Sequence, residues 1–131
     1  MERFRFPVTV RYLEVDAQGV VFNMWYLGYF DEALNGYLAH CGHPYPKLIA
    51  SGTDVQLVHT ELDYKAGVRW GDPLVIEVST ARIGNTSFTL DFQAKVGDTV
   101  ACAASTVYVT VDAKELTKKR VPDDLRAGLL G

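Results

Sequence analysis

Two periods of hydrophobic and polar positions follow one another along this chain. Over residues 4–13 the two classes alternate residue by residue, which predicts a half-buried strand whose start, at Pro7, lies on a sheet edge or is frayed. From Met24 to Cys41 the apolar residues recur at helical spacing, which predicts a long helix with one broad apolar stripe. The stripe comprises Leu27, Phe30, Leu34, Tyr37, Leu38 and Cys41, and Tyr26, Tyr29 and Ala33 widen it.

After the helix the pattern is almost entirely that of strands. Residues 43–53 are predicted to form a loop with one helical turn at 46–50, and the polar tail is predicted to end in a short turn at 123–130. The remaining four strands are predicted at 54–66, 73–83, 86–97 and 99–112. The breaks between them are marked by Gly71-Asp72-Pro73 and by the hairpin signals Gly84-Asn85 and Gly97-Asp98.

One long apolar helix after the first strand, followed by four strands, predicts an α+β fold with one sheet face against the helix. Several predicted strands exceed the usual length of about 5–6 residues, so the antiparallel sheet is expected to curve strongly. Gly28 and Gly36 disfavour a helix by about 1 kcal/mol each relative to alanine, which predicts close packing of the sheet there. A single helix cannot cover five long strands, and the sheet edges remain open. We therefore expect an oligomer.

Composition and charge narrow the class of protein. The 131 residues are 48% hydrophobic and 22% charged, which predicts one globular domain spanning residues 1–131. A net charge of −3 without a basic stripe argues against a nucleic-acid partner. No apolar run approaches the ~18 residues that a membrane helix needs, and the amino terminus lacks the apolar core of a signal peptide. A cytoplasmic protein without membrane insertion is expected.

The sequence offers little sign of a metal, disulfide or serine-nucleophile site. Cys41 and Cys102 lie in apolar surroundings without CxxC spacing, which predicts two buried, reduced thiols. The histidines and acidic residues show no metal-ligand spacing, so we expect neither metal nor cofactor. Ser51 and Ser105 have no base at a recognisable spacing, and a Gly-x-Ser-x-Gly elbow is missing from the sequence.

Residues 14–34 carry the most distinctive combination of chemistry. Asp16 precedes a turn that contains Gly19, and Asn23 marks a possible start of the long helix. Helix amino termini expose unpaired N–H groups with a partial positive charge. A carboxylate near such donors suits hydrolysis of a polarised carbonyl, with the acid as nucleophile or general base. The alternative is an ordinary turn aspartate beside a helix cap, since Asp and Gly are common turn residues.

The segment from Arg11 to Ala33 resembles the signature of hot-dog-fold acyl-CoA thioesterases. The nearest branch is the 4-hydroxybenzoyl-CoA thioesterase-like group, which includes enzymes associated with the Tol-Pal system. The most specific part is Asp16-Ala-Gln-Gly19-Val-Val-Phe22, and weaker pieces at Asp63–Leu74 and Val109–Arg126 follow in the family's order. The resemblance covers essentially the whole chain. It implies a five-stranded curved antiparallel sheet wrapped around one long central helix.

The resemblance also implies roles for individual residues. Asp16 falls at the family's catalytic carboxylate, and the backbone N–H of Asn23 falls where the family polarises the thioester carbonyl. Gly19 matches the turn glycine, and Tyr26 matches an aromatic position near the acyl pocket. Tol-Pal-type members commonly carry histidine in place of Asn23. Because an amide side chain does not shuttle protons near neutral pH, only the backbone role is expected to remain.

A homo-oligomer with active sites between subunits is a further implication, either a dimer or a dimer of dimers (a homotetramer). The strand segment Val58–Glu61 of one subunit is then expected to face Asp16 of the other. His59 is a candidate for lining that site, although a strand histidine is more often packed or at the surface. The phosphates of CoA call for basic residues at the site mouth. The candidates are Lys65, Arg69 and Arg82.

These implications predict an acyl-CoA thioesterase that releases a free carboxylic acid and CoA. One alternative is a thioesterase acting on acyl-carrier-protein substrates, against which the acidity of the chain argues mildly. Another is a non-catalytic acyl-CoA-binding hot-dog protein. A hot-dog dehydratase is disfavoured because residues 14–34 contain no histidine. Aromatic, short aliphatic and long aliphatic acyl groups all stay open.

Overall fold

A computed structural model describes residues 3–131 of the chain. In these residues five strands, three α-helices and one 3₁₀ turn follow each other. They are β1 (Phe4–Val8), the 3₁₀ turn (Tyr12–Glu14), α1 (Trp25–His40), α2 (Tyr45–Ala50), β2 (Thr53–Tyr64), β3 (Leu74–Ile83), β4 (Ser87–Val96), β5 (Thr99–Asp112) and α3 (Asp123–Leu130). Helices and strands therefore occupy the same stretches that the two hydrophobic periods mark out.

The five strands form one antiparallel sheet in the order β1-β3-β4-β5-β2. Tight turns join β3 to β4 and β4 to β5, and Gly97 adopts a φ of 60° in the second of these turns, where a side chain would be strained. Strand β2 follows α1 and α2 in the chain and lies on the edge of the sheet opposite β1, beside β5. Its register with β5 shifts between Leu57 and His59, a bulge that increases the local twist.

Helix α1 supplies one side of the hydrophobic core, and the inward face of the sheet supplies the other. Its buried residues are Tyr26, Tyr29, Phe30, Ala33, Leu34, Tyr37 and Leu38. The ring of Phe30 stacks on that of Phe92 from β4 with centroids 5.1 Å apart. Burying a side chain of this size stabilises the fold by about 1.5–3 kcal/mol. The apolar stripe and the alternating strands thus meet in one core.

The predicted five-stranded antiparallel sheet is confirmed, whereas the single long central helix is not. The three α-helices have 16, 6 and 8 residues. The short helices α2 and α3 fall where one helical turn at 46–50 and a last turn at 123–130 were expected. Leu27 belongs to the predicted apolar stripe, but 45% of its surface is exposed. It lies instead beside Leu57 of the edge strand β2.

The prediction of a first strand over residues 4–13 was also wrong in its extent. Strand β1 ends at Val8, and the chain then folds into the 3₁₀ turn. The carboxylate of Glu14 accepts the backbone N–H of Arg11 at 2.8 Å, which closes this turn. A side chain bound to a nearby backbone group competes with extension of the strand.

The two helix glycines behave differently from one another. A Cβ atom on Gly36 would lie 2.7 Å from the Phe6 ring of β1, whereas a Cβ atom on Gly28 would meet nothing within 4 Å. Close packing of the sheet therefore explains Gly36 but not Gly28.

The substitution Gly28→Ala is expected to raise the free energy of unfolding by about 0.5–1 kcal/mol, the difference in helix propensity between the two residues. The matched change Gly36→Ala is expected to give no such gain, since the Phe6 ring must move. Urea unfolding of both variants measures the difference. A lower unfolding midpoint for Gly28→Ala than for the unchanged protein would contradict this account.

Candidate active site

Asp16 begins a turn that its own backbone and side chain hold together. The Asp16 N–H donates to the carbonyl of Val20 at 2.9 Å, and the carbonyl of Asp16 accepts the N–H of Gly19 at 2.9 Å. Its Oδ1 accepts the N–H of Gln18 at 2.8 Å. Gly19 has a φ of 77°, which favours glycine at this position. No hydrogen bond from residues 3–131 reaches Oδ2 of Asp16, so this oxygen is available to a ligand.

The loop of residues 68–72 is bonded to the segment that follows Asp16. Val20 pairs with Arg69 in an isolated antiparallel bridge, and the N–H of Val21 donates to the carbonyl of Val68 at 2.8 Å. The carboxylate of Asp72 in turn accepts the N–H of Arg69 at 2.8 Å. Arg69 is therefore the basic residue that the fold brings next to the Asp16 turn.

The turn leads directly into the amino terminus of α1. Helix α1 begins at Trp25, two residues after Asn23, and no side chain caps it. Tyr64, the last residue of β2, donates its hydroxyl to the carbonyl of Asn23 at 3.2 Å. Within the described part of the chain, the backbone N–H of Asn23 donates to no acceptor. The helix start thus presents a free N–H together with the positive end of the helix dipole.

Tyr26 lies in the first turn of α1 and is buried rather than open to the Asp16 turn. Its ring packs edge-on against Tyr29 and Tyr64, with centroids 5.9 Å and 5.8 Å away. Burial raises the pKa of the Tyr26 hydroxyl to about 12. The residue therefore remains a neutral phenol that fixes the helix start against the end of β2.

Two candidate residues lie away from Asp16 within one protomer. His59 is exposed on β2, and its Nε2 lies 3.1 Å from Oε1 of Glu61. Arg82 lies near the end of β3, where it borders a cavity with Arg126 of α3. The other end of β3, at Leu74, adjoins the loop of Asp72, and a strand rises about 3.3 Å per residue. One protomer alone therefore does not bring Asp16, His59 and Arg82 together.

The structure adds a buried polar cluster that the sequence analysis missed. Glu14 is only 2% exposed, and its carboxylate accepts the Nε–H and an Nη2–H of Arg11 at 3.0 Å and 2.8 Å. It also accepts the hydroxyl of Tyr29 in α1 at 2.8 Å. Burial raises the pKa of the Glu14 carboxyl, but the hydrogen bonds from Arg11 and Tyr29 outweigh burial and lower the pKa below its ordinary value. The available signal was Glu14 itself, three residues after Arg11, since a Glu at this position can accept the backbone N–H of the residue that opens the turn.

This lowered pKa makes a testable contribution to stability. A carboxyl whose pKa falls on folding stabilises the protein above its ordinary pKa and loses that effect as the pH falls through the folded value. We expect the free energy of unfolding to fall below pH 4.5, the ordinary value for Glu14, and to fall less steeply in the variant Glu14→Gln. Urea unfolding between about pH 6 and pH 3 measures both curves. Parallel curves would contradict the assignment.

Two surface features lie on opposite sides of α1. A cavity of about 370 Å³ lies between β1 and the first half of α1, and its polar lining comes from Thr9, Arg11, Glu14, Tyr29 and Glu32. On the other side, exposed apolar residues gather along the middle of the edge strand β2. This β2 edge patch consists of Leu27, Leu57 and Val58, which are 45%, 52% and 56% exposed.

Cys41 is half-buried and Cys102 is buried, and both are free thiols. Burial raises the pKa of the Cys102 thiol to about 11, which leaves it unreactive near neutral pH. Within residues 3–131, no three His, Cys, Asp or Glu side chains are grouped so that they could hold a metal ion.

The helices of residues 3–131 are all too short or too polar to cross a membrane.

Comparison with known proteins places this arrangement among thioesterases. The family model described as "Thioesterase-like superfamily" matches residues 10–129. The 1,4-dihydroxy-2-naphthoyl-CoA hydrolase of Nostoc punctiforme is 28% identical over 123 residues, covering 93% of this chain and 83% of the relative. The acyl-CoA thioesterase YbgC of Haemophilus influenzae is 27% identical over 126 residues, covering 95% and 92%.

A solved structure from the thioesterase superfamily of Jannaschia sp. CCS1 superimposes with a TM-score of 0.93 over 98% of this chain and 91% of that one. At 19% sequence identity this match bears on the fold alone.

Proposed function

The chain belongs to the thioesterase-like superfamily, and from that premise we propose that it hydrolyses an acyl-CoA thioester to a free carboxylic acid and CoA. The observation that carries the proposal is that Asp16 and Asn23 lie on one short chain segment that leads into the start of α1. Among residues 3–131, one carboxylate oxygen of Asp16 accepts no hydrogen bond and the backbone N–H of Asn23 has no acceptor. These are the two groups that attack on a polarised carbonyl requires.

In the proposed reaction the Asn23 N–H binds the thioester oxygen while Asp16 acts on the carbonyl carbon. As a general base, Asp16 takes a proton from water, the water oxygen bonds to the acyl carbon, and the carbon–sulfur bond breaks. The proton then passes to the CoA thiolate. As a nucleophile, Asp16 itself bonds to the acyl carbon and expels the thiolate, and water cleaves the resulting anhydride. Both routes use the same oxyanion donor.

We further propose that residues 1–131 form one domain and that a second copy completes the site, in a dimer or dimer of dimers. The outer edge of β2 has no neighbouring strand in the described protomer, and the β2 edge patch exposes apolar side chains at its middle. Open apolar edges favour pairing with another chain. In this arrangement the Val58–Glu61 segment of the second copy faces Asp16, and His59 lines the site from there.

The CoA phosphates are proposed to meet basic side chains at the site mouth. Arg69 is the basic residue that pairs directly with the Asp16 turn, through Val20. Arg82 lies at the other end of β3 from this turn. Arg82 therefore serves the site only if it comes from another subunit. The proposal places the enzyme with its CoA substrates in the cytoplasm.

The identity of the thioester is tested by thiol release from a panel of substrates. The panel contains short aliphatic, long aliphatic and aromatic acyl-CoAs together with an acyl-carrier-protein thioester. We expect at least one acyl-CoA to be hydrolysed with kcat/KM above about 10⁴ M⁻¹s⁻¹, the lower end of the usual enzyme range. Turnover of the carrier-protein thioester alone would favour a thioesterase that acts on acyl-carrier-protein substrates. Binding of acyl-CoA without any hydrolysis would favour a non-catalytic protein.

A further inference from the structure

We propose that Glu14 and Tyr29 are positioning residues that hold Asp16 in register with the Asn23 N–H. The inference rests on the proposed thioesterase function and concerns the same site. Neither residue is placed to touch the thioester in this proposal. They connect the segment that carries Asp16 to the segment that carries Asn23, the two residues that act on the thioester.

Glu14 is connected to the chain segment that carries Asp16, to the segment that carries Asn23 and to helix α1. It lies two residues before Asp16 on the same chain segment. Its backbone carbonyl accepts the N–H of Phe22, the residue before Asn23, at 2.9 Å. Its carboxylate accepts the hydroxyl of Tyr29, one turn into α1, at 2.8 Å. Glu14 thus holds the Asp16 turn, the residues just before α1 and the first turns of α1 in fixed relative positions.

The geometry of Glu14 is strongly constrained. The carboxylate is nearly inaccessible to solvent, and Arg11 donates to it from the backbone N–H and from two guanidinium nitrogens. Charge-assisted hydrogen bonds of this kind are short and strong. Burial and the bond to Glu14 raise the pKa of the Tyr29 hydroxyl, so it remains a donor.

Precise placement matters because catalysis of this type depends on the geometry of the reacting groups. A displacement of about 1 Å can cost on the order of 10²-fold in rate. Loss of the Tyr29 hydroxyl removes the bond between Glu14 and α1 and leaves the Arg11 bonds in place. Because Glu14 and Tyr29 also line the 370 Å³ cavity, water can solvate the carboxylate in the variant. We therefore expect a large change in rate and a small change in stability.

Tyr37 provides a matched control on the same helix. It is also buried in α1, and its hydroxyl lies 2.7 Å from Oγ1 of Thr80 in β3, away from the Asp16 turn. Tyr29→Phe is expected to lower kcat about 10-fold with KM within twofold of the unchanged protein, a split that indicates loss of an interaction used in the transition state. Tyr37→Phe is expected to leave kcat within twofold.

A double-mutant cycle separates positioning from a purely structural role. If Tyr29 acts through Asp16, then adding Tyr29→Phe to Asp16→Asn changes the residual single-turnover rate by less than twofold. An equal loss of rate in both backgrounds would overturn the inference. Equal kcat values for Tyr29→Phe and Tyr37→Phe would also overturn it, while the proposed function would stand if Asp16→Asn lowered kcat by about 100-fold or more. Failure of the unchanged protein to hydrolyse any thioester, or full activity in Asp16→Asn, would overturn both.

Discussion

The substitution Asp16→Asn is expected to lower kcat for acyl-CoA hydrolysis by a factor of about 10²–10⁴, the range measured for loss of a positioned acid or base. A 100-fold loss corresponds to about 2.7 kcal/mol of activation free energy. The amide has the size of the carboxylate and can still accept the Gln18 N–H that Oδ1 accepts at 2.8 Å. It can neither take a proton from water nor form an anhydride. Steady-state kcat and KM measure the effect.

Asp112 allows a matched control for this change. It is also a turn aspartate, and its carboxylate accepts the backbone N–H groups of Lys114 and Glu115 at 3.0 Å and 2.8 Å. Asp112→Asn makes the same chemical change outside the site and is expected to leave kcat within twofold. A similar loss in both variants would mean that the effect comes from turn structure. An undiminished rate in Asp16→Asn would remove Asp16 from the mechanism.

The substitution Val58→Asp is expected to separate the subunits and to lower hydrolysis more than 100-fold. Val58 lies at the bulge of β2, opposite no residue of β5, and is 56% exposed in the protomer. A charge there costs an isolated protomer little. In an interface that covers this position it buries a carboxylate without a partner in each subunit, which costs several kcal/mol. Sedimentation velocity and thiol release measure the two effects.

Leu130 is the control for a charge at an exposed apolar position. It is 69% exposed in α3, and Leu130→Asp is expected to preserve both the oligomer and the rate. A monomeric Val58→Asp protein with full activity would show that one protomer suffices. An unchanged oligomer in this variant would place the interface elsewhere.

The resemblance to hot-dog thioesterases is confirmed, and the sequence also located the main elements closely. Helix α1 starts and ends within one residue of the predicted Met24 and Cys41, because its apolar residues recur at helical spacing along its whole length. The positions of the last four strands hold because alternation with glycine turns between them leaves few other pairings. Asp16, Gly19 and Asn23 could be grouped in advance because they lie close together in the sequence.

Features that depend on individual hydrogen bonds and on long-range contacts could not be predicted from the sequence. The first strand was predicted to run past Val8 because the apolar–polar alternation continues to residue 13. The bond from the Arg11 N–H to the Glu14 carboxylate, which closes the turn after the strand, leaves no periodic pattern in the sequence. Leu27 has the helical spacing of a core residue, yet it lies beside Leu57 at the open edge of the sheet. An apolar residue in the core and one at an exposed edge cannot be told apart by sequence pattern. Tyr64 bonds to Asn23 across 41 positions. Only the strand order reveals that neighbourhood.

Counting both products of one reaction, for the unchanged protein and for Asp16→Asn at equal subunit concentration, tests whether Asp16 catalyses thioester hydrolysis. The best acyl-CoA of the panel serves as substrate, a thiol reagent counts CoA, and mass spectrometry counts the acid. We expect one molecule of acid for each thiol released, and we expect the unchanged protein to form both products at least about 100 times faster than Asp16→Asn. Equal rates in the two proteins, or thiol released without free acid, would contradict this expectation.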